Sequence, residues 1–159
     1  MININETLLD QLTLRARLSS RRRMTHNFHS GPDDTLQRML NALEPGTYVR
    51  PHKHELPDKR EVFFAMRGTL CVIEFNDASE VSDYTILNSG IRNYGVEIPQ
   101  RTWHTIISLE SGSVAYEVKD GPYDPANDKN FASWAPAEGS TEAEDYLQSL
   151  IKKLGLKVG

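Results

Sequence analysis

The sequence contains a single cysteine, Cys71, among its 159 residues. One thiol cannot form an internal disulfide or build a thiolate metal site, and such a composition is typical of a reducing cytoplasm. No run of about eighteen apolar residues is present, so we expect no membrane-spanning helix. The first residues, MININETLLDQ, lack a basic segment followed by an apolar stretch, so we also expect no secretory signal.

Basic residues are fewer than acidic residues. Eighteen Lys and Arg residues stand against 22 Asp and Glu residues, and the resulting net charge of −4 argues against general nucleic-acid binding. Hydrophobic residues make up 38% of the chain, which is enough for a packed core and excludes a disordered protein. We therefore expect one soluble, cytoplasmic domain that binds neither nucleic acid nor a membrane.

The middle of the sequence predicts β-strands separated by short turns. Its segments are rich in β-branched and aromatic residues and are bounded by Gly, Asn, Asp and Ser. Short strands at this spacing, with no helix between them, are typical of an antiparallel sandwich or barrel, so we expect an all-β fold. The predicted strands cover residues 69–75, 80–87, 94–98, 104–109 and 114–119.

Helical periodicity is confined to the two ends of the chain. Asn5 is a candidate N-cap for a first helix, which carries a narrow apolar stripe. Thr141 and Glu144 have the spacing of a capping box before a second helix, and Gly155 is a candidate stop. The apolar stripe of the first helix consists of Leu8, Leu9, Leu12 and Ala16.

Two further segments have a less regular pattern. Residues 34–43 fit a helix by their apolar spacing, yet they lead directly into Pro45-Gly46 and a β-rich stretch. Residues 121–139 are rich in Pro, Gly, Asp and Asn, so we predict an ordered loop there.

Three of the five histidines stand where a metal site needs them. His52 and His54 are two residues apart, and on a strand such residues point to the same face. Glu61 follows a turn-forming connection, residues 55–60, and His104 begins a later predicted strand. Three imidazole nitrogens and one carboxylate oxygen would hold one divalent Fe, Mn, Ni or Zn ion and leave it open positions.

An isolated His-x-His pair is more often a surface coincidence than a metal site. Glu61 and His104 favour the metal interpretation, because each stands at the start of its own predicted strand with turn-forming residues before it.

These residues resemble the first sequence motif of the cupin family. That motif has a Gly, a His-x-His pair, a Glu and a second Gly in this order. The matching residues are Gly46, His52, His54, Glu61 and Gly68. Six residues separate His54 from Glu61, where the family pattern has three or four.

The second cupin motif is matched in part. Pro99 and His104 occupy their expected places, while Arg101 stands where Gly is usual and Ser108 where Asn is usual. Only three residues separate Gly95 from Pro99, fewer than in the pattern. These departures affect the turns more than the metal ligands.

More narrowly, the chain is similar to the WbuC-type cupin-fold metalloproteins, which occur with bacterial polysaccharide gene sets. The similarity covers nearly the whole sequence and includes residues 23–29, 41–48, 95–99, 121–125 and 134–139. It implies a jelly-roll β-barrel with short terminal helices, a bound metal ion and a homodimer, and it favours a strand over residues 37–43.

The resemblance also divides the single domain into three parts. Residues 1–45 would form an N-terminal helix and extension. Residues 46–120 would form the cupin core with both motifs, and residues 121–159 the loop and C-terminal helix.

Tyr48 and Arg50 share the strand phase of His52, so we expect both side chains to face the same interior. A buried guanidinium is costly unless it is paired. We expect Arg50 to pair with Glu97 or Glu117, or with an anionic ligand.

Other residues are candidates for the barrel mouth. Asn27 and His29 would either line it or hold the N-terminal segment in place. Trp103 would either pack in the core or stack on a sugar ring. The basic run at residues 21–23 would be a solvated face or a phosphate site.

We expect a metal-dependent enzyme that acts on a small polar substrate. The resemblance favours a sugar or nucleotide sugar of bacterial surface-polysaccharide biosynthesis, with the metal as a Lewis acid in isomerisation or epimerisation. The sequence indicates no clear second base. The alternatives are an iron-dependent dioxygenase and a non-catalytic protein that binds or senses a small ligand.

Overall fold

The computed structural model describes residues 1–159 and contains ten β-strands, with an α-helix near each end of the chain. Helix α1 spans Glu6–Leu18 and helix α2 spans Glu142–Lys153. The strands are β1 (Arg23–Asn27), β2 (Leu36–Leu43), β3 (His52–Lys53), β4 (Glu61–Arg67), β5 (Leu70–Phe75), β6 (Val81–Leu87), β7 (Gly95–Ile98), β8 (Trp103–Ser108), β9 (Ser113–Asp120) and β10 (Asn130–Phe131).

The strands form two five-stranded antiparallel sheets. The first sheet has the order β1-β2-β9-β4-β7, and the second has the order β10-β3-β8-β5-β6. An apolar core lies between them, formed by residues of both sheets that point inward at every second position. This architecture confirms the predicted all-β fold, and strands β5 to β9 lie within one residue of the predicted segments.

The first sheet begins earlier in the chain than the sequence suggested. Strands β1 and β2 belong to this sheet, although residues 1–45 were expected to form a helix and an extension. Strand β2 pairs with β9 along its whole length, which confirms the strand predicted over residues 37–43. The loop predicted at residues 121–139 contains one short strand, β10, which pairs with β3.

Helix α1 forms as predicted. The side chain of Asn5 accepts a hydrogen bond from the backbone N–H of Leu8 and so caps the helix. The stripe residues Leu9, Leu12 and Ala16 are buried, and they pack on the outer face of the first sheet.

Helix α2 also forms, but its predicted capping box does not. Thr141 is the N-cap residue, and its backbone is already helical, so its side chain makes no capping hydrogen bond. Gly155 ends the helix with a φ of +63°, as predicted. Leu147 and Leu150 pack in an apolar cluster on the outer face of the second sheet. Neither helix is long and apolar enough to cross a membrane.

The turn before His104 forms although Arg101 occupies the usual glycine position. Arg101 adopts the left-handed conformation with a φ of +62°, which costs a residue with a Cβ about 1 kcal/mol. Its guanidinium lies 2.9 Å from Asp58, an ion pair that ties this turn to the connection before Glu61. Arg101 therefore occupies the left-handed position of this turn in spite of the departure from the cupin motif.

Candidate metal centre

The fold brings the four predicted ligands together. His52 lies on β3 directly opposite His104 on β8, and Glu61 begins β4 in the facing sheet. All four side chains, including His54, are buried, and their potential ligand atoms lie within 4.8 Å of one another. We call His52, His54, Glu61 and His104 the four-residue cluster.

Backbone carbonyls orient the three imidazole rings. The Nδ1 atom of His52 lies 2.9 Å from the carbonyl of Arg50, and that of His104 lies 2.9 Å from the carbonyl of Thr102. The Nδ1 atom of His54 contacts the carbonyl of Asp128. Because a carbonyl can only accept, each Nδ1 carries a proton, and the Nε2 of a neutral ring keeps its lone pair.

The Nε2 atoms converge on the carboxylate of Glu61. Its Oε2 atom lies 2.9 Å from Nε2 of His104 and 3.5 Å from Nε2 of His54. The buried Nε2 atoms of His52 and His54 have no hydrogen-bond partner. Buried polar atoms without a partner are rare and costly, and a divalent transition metal would satisfy both. The donor set of three nitrogens and one oxygen fits such an ion.

Burial and neighbouring charges set the protonation of the cluster. Burial lowers the pKa of His52 well below its usual value, and the positive charge of Lys129 adds to the effect. Burial opposes ionisation of Glu61, but its contacts with His104 and His54 outweigh the effect of burial and hold the pKa of Glu61 well below its usual value. A neutral His52 and an ionised Glu61 are the forms that bind a metal ion.

A buried network of ion pairs lies next to the four-residue cluster. The carboxylate of Asp128 lies 2.9 Å from Nζ of Lys59 and 2.7 Å from Nζ of Lys119, and all three side chains are buried. The backbone carbonyl of Asp128 also accepts the Nδ1–H of His54. One residue therefore orients a predicted ligand and forms ion pairs with two buried ammonium groups.

This network was not predicted from the sequence. Only the residues that lie on a strand could have been recognised there. Lys119 stands two residues after Glu117 on β9, so both share the inward phase of the strand. Asp128 and Lys59 lie in irregular segments, where no periodicity indicates burial.

A cavity of about 660 Å³ adjoins the cluster. Glu117 and Lys119 border it from β9, and Asn41 borders it from β2. Asn41 donates a hydrogen bond of 2.5 Å to Glu117. Burial, followed by the nearby charge of Glu61, raises the pKa of Glu117 well above its usual value. The cavity is therefore polar on the side of the first sheet.

Tyr48 and Arg50 do not face this cavity, and the predicted orientation is wrong. Tyr48 packs beneath helix α2 and donates to the carbonyl of Pro136 at 2.9 Å. Arg50 donates to the carbonyl of Ala132 at 2.7 Å, rather than to Glu97 or Glu117. Residues 46–51 are not a strand, so the alternation that the prediction used does not apply to them.

Asn27 and His29 border the cavity, which is one of the two positions expected for them from the sequence. His29 also holds the N-terminal segment, because its Nδ1 accepts from the backbone N–H of Arg38 at 3.2 Å. Trp103 packs against Trp134 on the outer side of the second sheet. This position follows from strand alternation, since the adjacent His104 points inward.

The basic run at residues 21–23 lies at the edge of the cavity. Arg21 and Arg23 border it, and both form ion pairs with Glu138, at 2.6 Å and 2.5 Å. Arg22 donates to the carbonyl of Pro45 at 3.1 Å. Arg21 and Arg22 are exposed to solvent, as the solvated-face alternative expected, and all three arginines also contact other residues of the chain.

Lys129 also borders the cavity, and its side chain is exposed. The surrounding protein atoms lower its pKa, while Glu61 and Glu117 raise it. Because Lys129 is exposed, water screens part of the burial effect and favours the charged ammonium form.

Comparison with known proteins supports this architecture. A family model described as a domain of unknown function (DUF6016) matches residues 4–87. No curated protein matches the chain. The structure is similar to the capsular polysaccharide assembling protein CapF from Staphylococcus aureus, with 24% identity and a TM-score of 0.56. This similarity covers 67% of the present chain and 28% of CapF, so the chain spans less than a third of that protein.

Two other solved structures share the fold. Cellulomonas parahominis L-ribose isomerase has a TM-score of 0.56 and 15% identity, covering 71% of this chain and 70% of the isomerase. KdgF from Halomonas sp. has a TM-score of 0.50 and 17% identity, covering 65% and 83%. At these identities the similarity establishes the fold alone, which is the predicted single-domain cupin fold.

Proposed function

The chain belongs to the DUF6016 family, and we propose that it is a metal-binding cupin that acts on a small polar molecule in its cavity. The observation that carries this proposal is the pair of buried Nε2 atoms, on His52 and His54, that have no partner beside the carboxylate of Glu61. The adjoining cavity of about 660 Å³ has the size of a small-molecule site.

The four-residue cluster would hold one divalent ion of Fe, Mn, Ni or Zn. When bound, the ion would supply Lewis-acid polarisation of a carbonyl or hydroxyl group. Glu117 would supply the acid–base group that the sequence did not indicate. Its carboxyl group borders the cavity, as does that of Glu61, and is oriented by Asn41.

The proposed substrate is a sugar or nucleotide sugar of bacterial surface-polysaccharide biosynthesis, and the proposed reaction is isomerisation or epimerisation in the cytoplasm. The similarity to WbuC-type cupins supports the pathway. The structural relatives include a capsular polysaccharide assembling protein and a sugar isomerase, which supports the substrate class and the reaction type.

A turnover screen tests this proposal. Metal-loaded protein is incubated with sugars and nucleotide sugars, and products are followed by NMR; Glu117→Gln should retain the metal and lose turnover. Binding without turnover would favour the non-catalytic alternative, and metal-dependent oxygen consumption would favour a dioxygenase. A protein that neither binds nor converts any of these compounds would contradict the proposed substrate class.

Metal affinity should fall as the pH is lowered, because protons compete with the ion for the imidazole nitrogens. The pKa of His52 is lowered, so this ligand becomes protonated only well below the usual pKa of about 6.5. Glu61, whose pKa is also lowered, stays ionised until stronger acid. Competition titrations from pH 7.5 to 4.5 measure the slope, and an affinity that is constant across this range would contradict histidine ligation.

We extend the proposal to a homodimer. Phe64 and Met66 are exposed on the outer face of β4, beside the edge strand β7. Pairing of two copies would cover this apolar surface and protect the sheet edge. Light scattering should give twice the mass of 18.0 kDa, and a monomer mass at every concentration would contradict the dimer.

A further inference from the structure

The cationic side chains around the cavity differ in whether a carboxylate of the protein pairs with them. Arg21 and Arg23 both pair with Glu138, and Lys119 pairs with Asp128. Each of these three cations therefore contacts a carboxylate of the chain itself. Lys129 also borders the cavity, but no carboxylate lies within 4.0 Å of its ammonium, in contrast to Lys59 and Lys119.

Lys129 is held between two anchored residues. Asp128 binds the two buried ammonium groups described above, and its carbonyl accepts from His54. On the other side, Asn130 pairs with Lys53 in the second sheet. The backbone of Lys129 is thus fixed by the same contacts that position a predicted metal ligand.

Lys129 borders the same cavity as His52, Glu61 and His104. The positive charge of Lys129 lowers the pKa of His52, and the carboxylates of Glu61 and Glu117 raise the pKa of Lys129. A cation beside a proposed metal centre opposes metal binding, because like charges repel. The arrangement becomes favourable when an anionic group contacts both the ammonium and the metal centre.

The opposite wall of the cavity carries neutral polar groups. Thr25 and Asn27 project from β1, and Asn41 projects from β2 beside Thr25. Hydroxyl and amide groups of this kind hydrogen-bond with the hydroxyl groups of a small molecule. The volume of about 660 Å³ accommodates a monosaccharide that carries an additional charged group.

We infer that the cavity binds a hydroxylated small anion and that Lys129 binds the carboxylate or phosphate of that ligand. The inference rests on the proposed function, since it names the ligand class of the same site. It makes Lys129 a specificity residue that selects acidic sugars over neutral ones.

Calorimetric titration with matched probes tests this inference. Zinc-loaded protein is titrated with D-galactose and D-galacturonate, and then with D-glucose and D-glucose 6-phosphate. We expect at least one acidic probe to bind about tenfold more tightly than its neutral partner, as a charge-assisted contact predicts. The two pairs distinguish a carboxylate ligand from a phosphate ligand.

Two variants complete the experiment. Lys129→Gln should remove the preference for the acidic probe and keep the zinc content, whereas Lys157→Gln, at an exposed C-terminal position, should change neither. Equal binding of acidic and neutral probes, or an unchanged preference in Lys129→Gln, would overturn the inference. Elemental analysis separates the two proposals, because a chain that takes up no zinc contradicts the proposed function itself.

Discussion

Replacing His52 and His104 together by alanine should reduce the bound divalent metal from about one ion per chain to none. The two residues are directly opposite each other on β3 and β8, and their rings are 4.5 Å apart between centroids. Removing both deletes two of the three imidazole donors, and the remaining His54 and Glu61 form too small a donor set. Elemental analysis after metal loading and dialysis measures the result.

His29→Ala provides the matched control. This histidine also borders the cavity, but it hydrogen-bonds with the backbone of Arg38 and is not part of the four-residue cluster. The variant should keep about one ion per chain. Retention of the ion by the double variant would exclude His52 and His104 as ligands and would leave them only a structural role.

Replacing Asp128 by alanine should lower the free energy of unfolding by about 3–5 kcal/mol, the usual effect of breaking a buried ion pair. The change leaves the ammonium groups of Lys59 and Lys119 buried without their carboxylate partner, and these side chains are only 2% and 5% exposed. Urea unfolding of the metal-free protein measures the change.

Asp120→Ala is the control for this experiment. Asp120 forms an ion pair of 2.9 Å with Arg60, whose side chain is 61% exposed, so its loss should lower the free energy of unfolding by less than about 1 kcal/mol. If Asp128→Ala does not fold, Asp128→Asn keeps the shape of the side chain and should still destabilise the protein. A loss below about 1 kcal/mol in Asp128→Asn would contradict the role of the buried network.

The elements that the sequence predicted correctly depend on local signals. Asn5 caps α1 through a hydrogen bond to a residue three positions away, and turn residues bound each strand from β5 to β9. The capping box of α2 was wrong because Thr141 adopts a helical backbone conformation, which the spacing of side chains does not reveal.

The cluster was predictable because its residues follow strand periodicity and the spacing of two motifs. His104 and Glu61 point inward from their strands, and the chain between them closes the two sheets around one interior. Tyr48 and Arg50 were misplaced because the same periodicity was applied to a segment that is not a strand. Side chains alternate between two faces only where the residues form a β-strand.

The charged network behind the cluster depends on contacts between distant parts of the chain. Lys59 meets Asp128 across a separation of 69 residues, and Asn41 meets Glu117 across 76. Such pairs cannot be recognised in a single sequence, because the residues next to a lysine in the chain do not show whether its side chain is buried. Only the folded structure shows that Asp128 pairs with two lysines and orients His54.

Anomalous diffraction from crystals of the zinc-loaded protein tests the metal centre most directly. We expect one strong peak per chain, within bonding distance of Nε2 of His52, His54 and His104 and of the Glu61 carboxylate. A peak located elsewhere, or no peak at this cluster in crystals of fully loaded protein, would contradict this expectation.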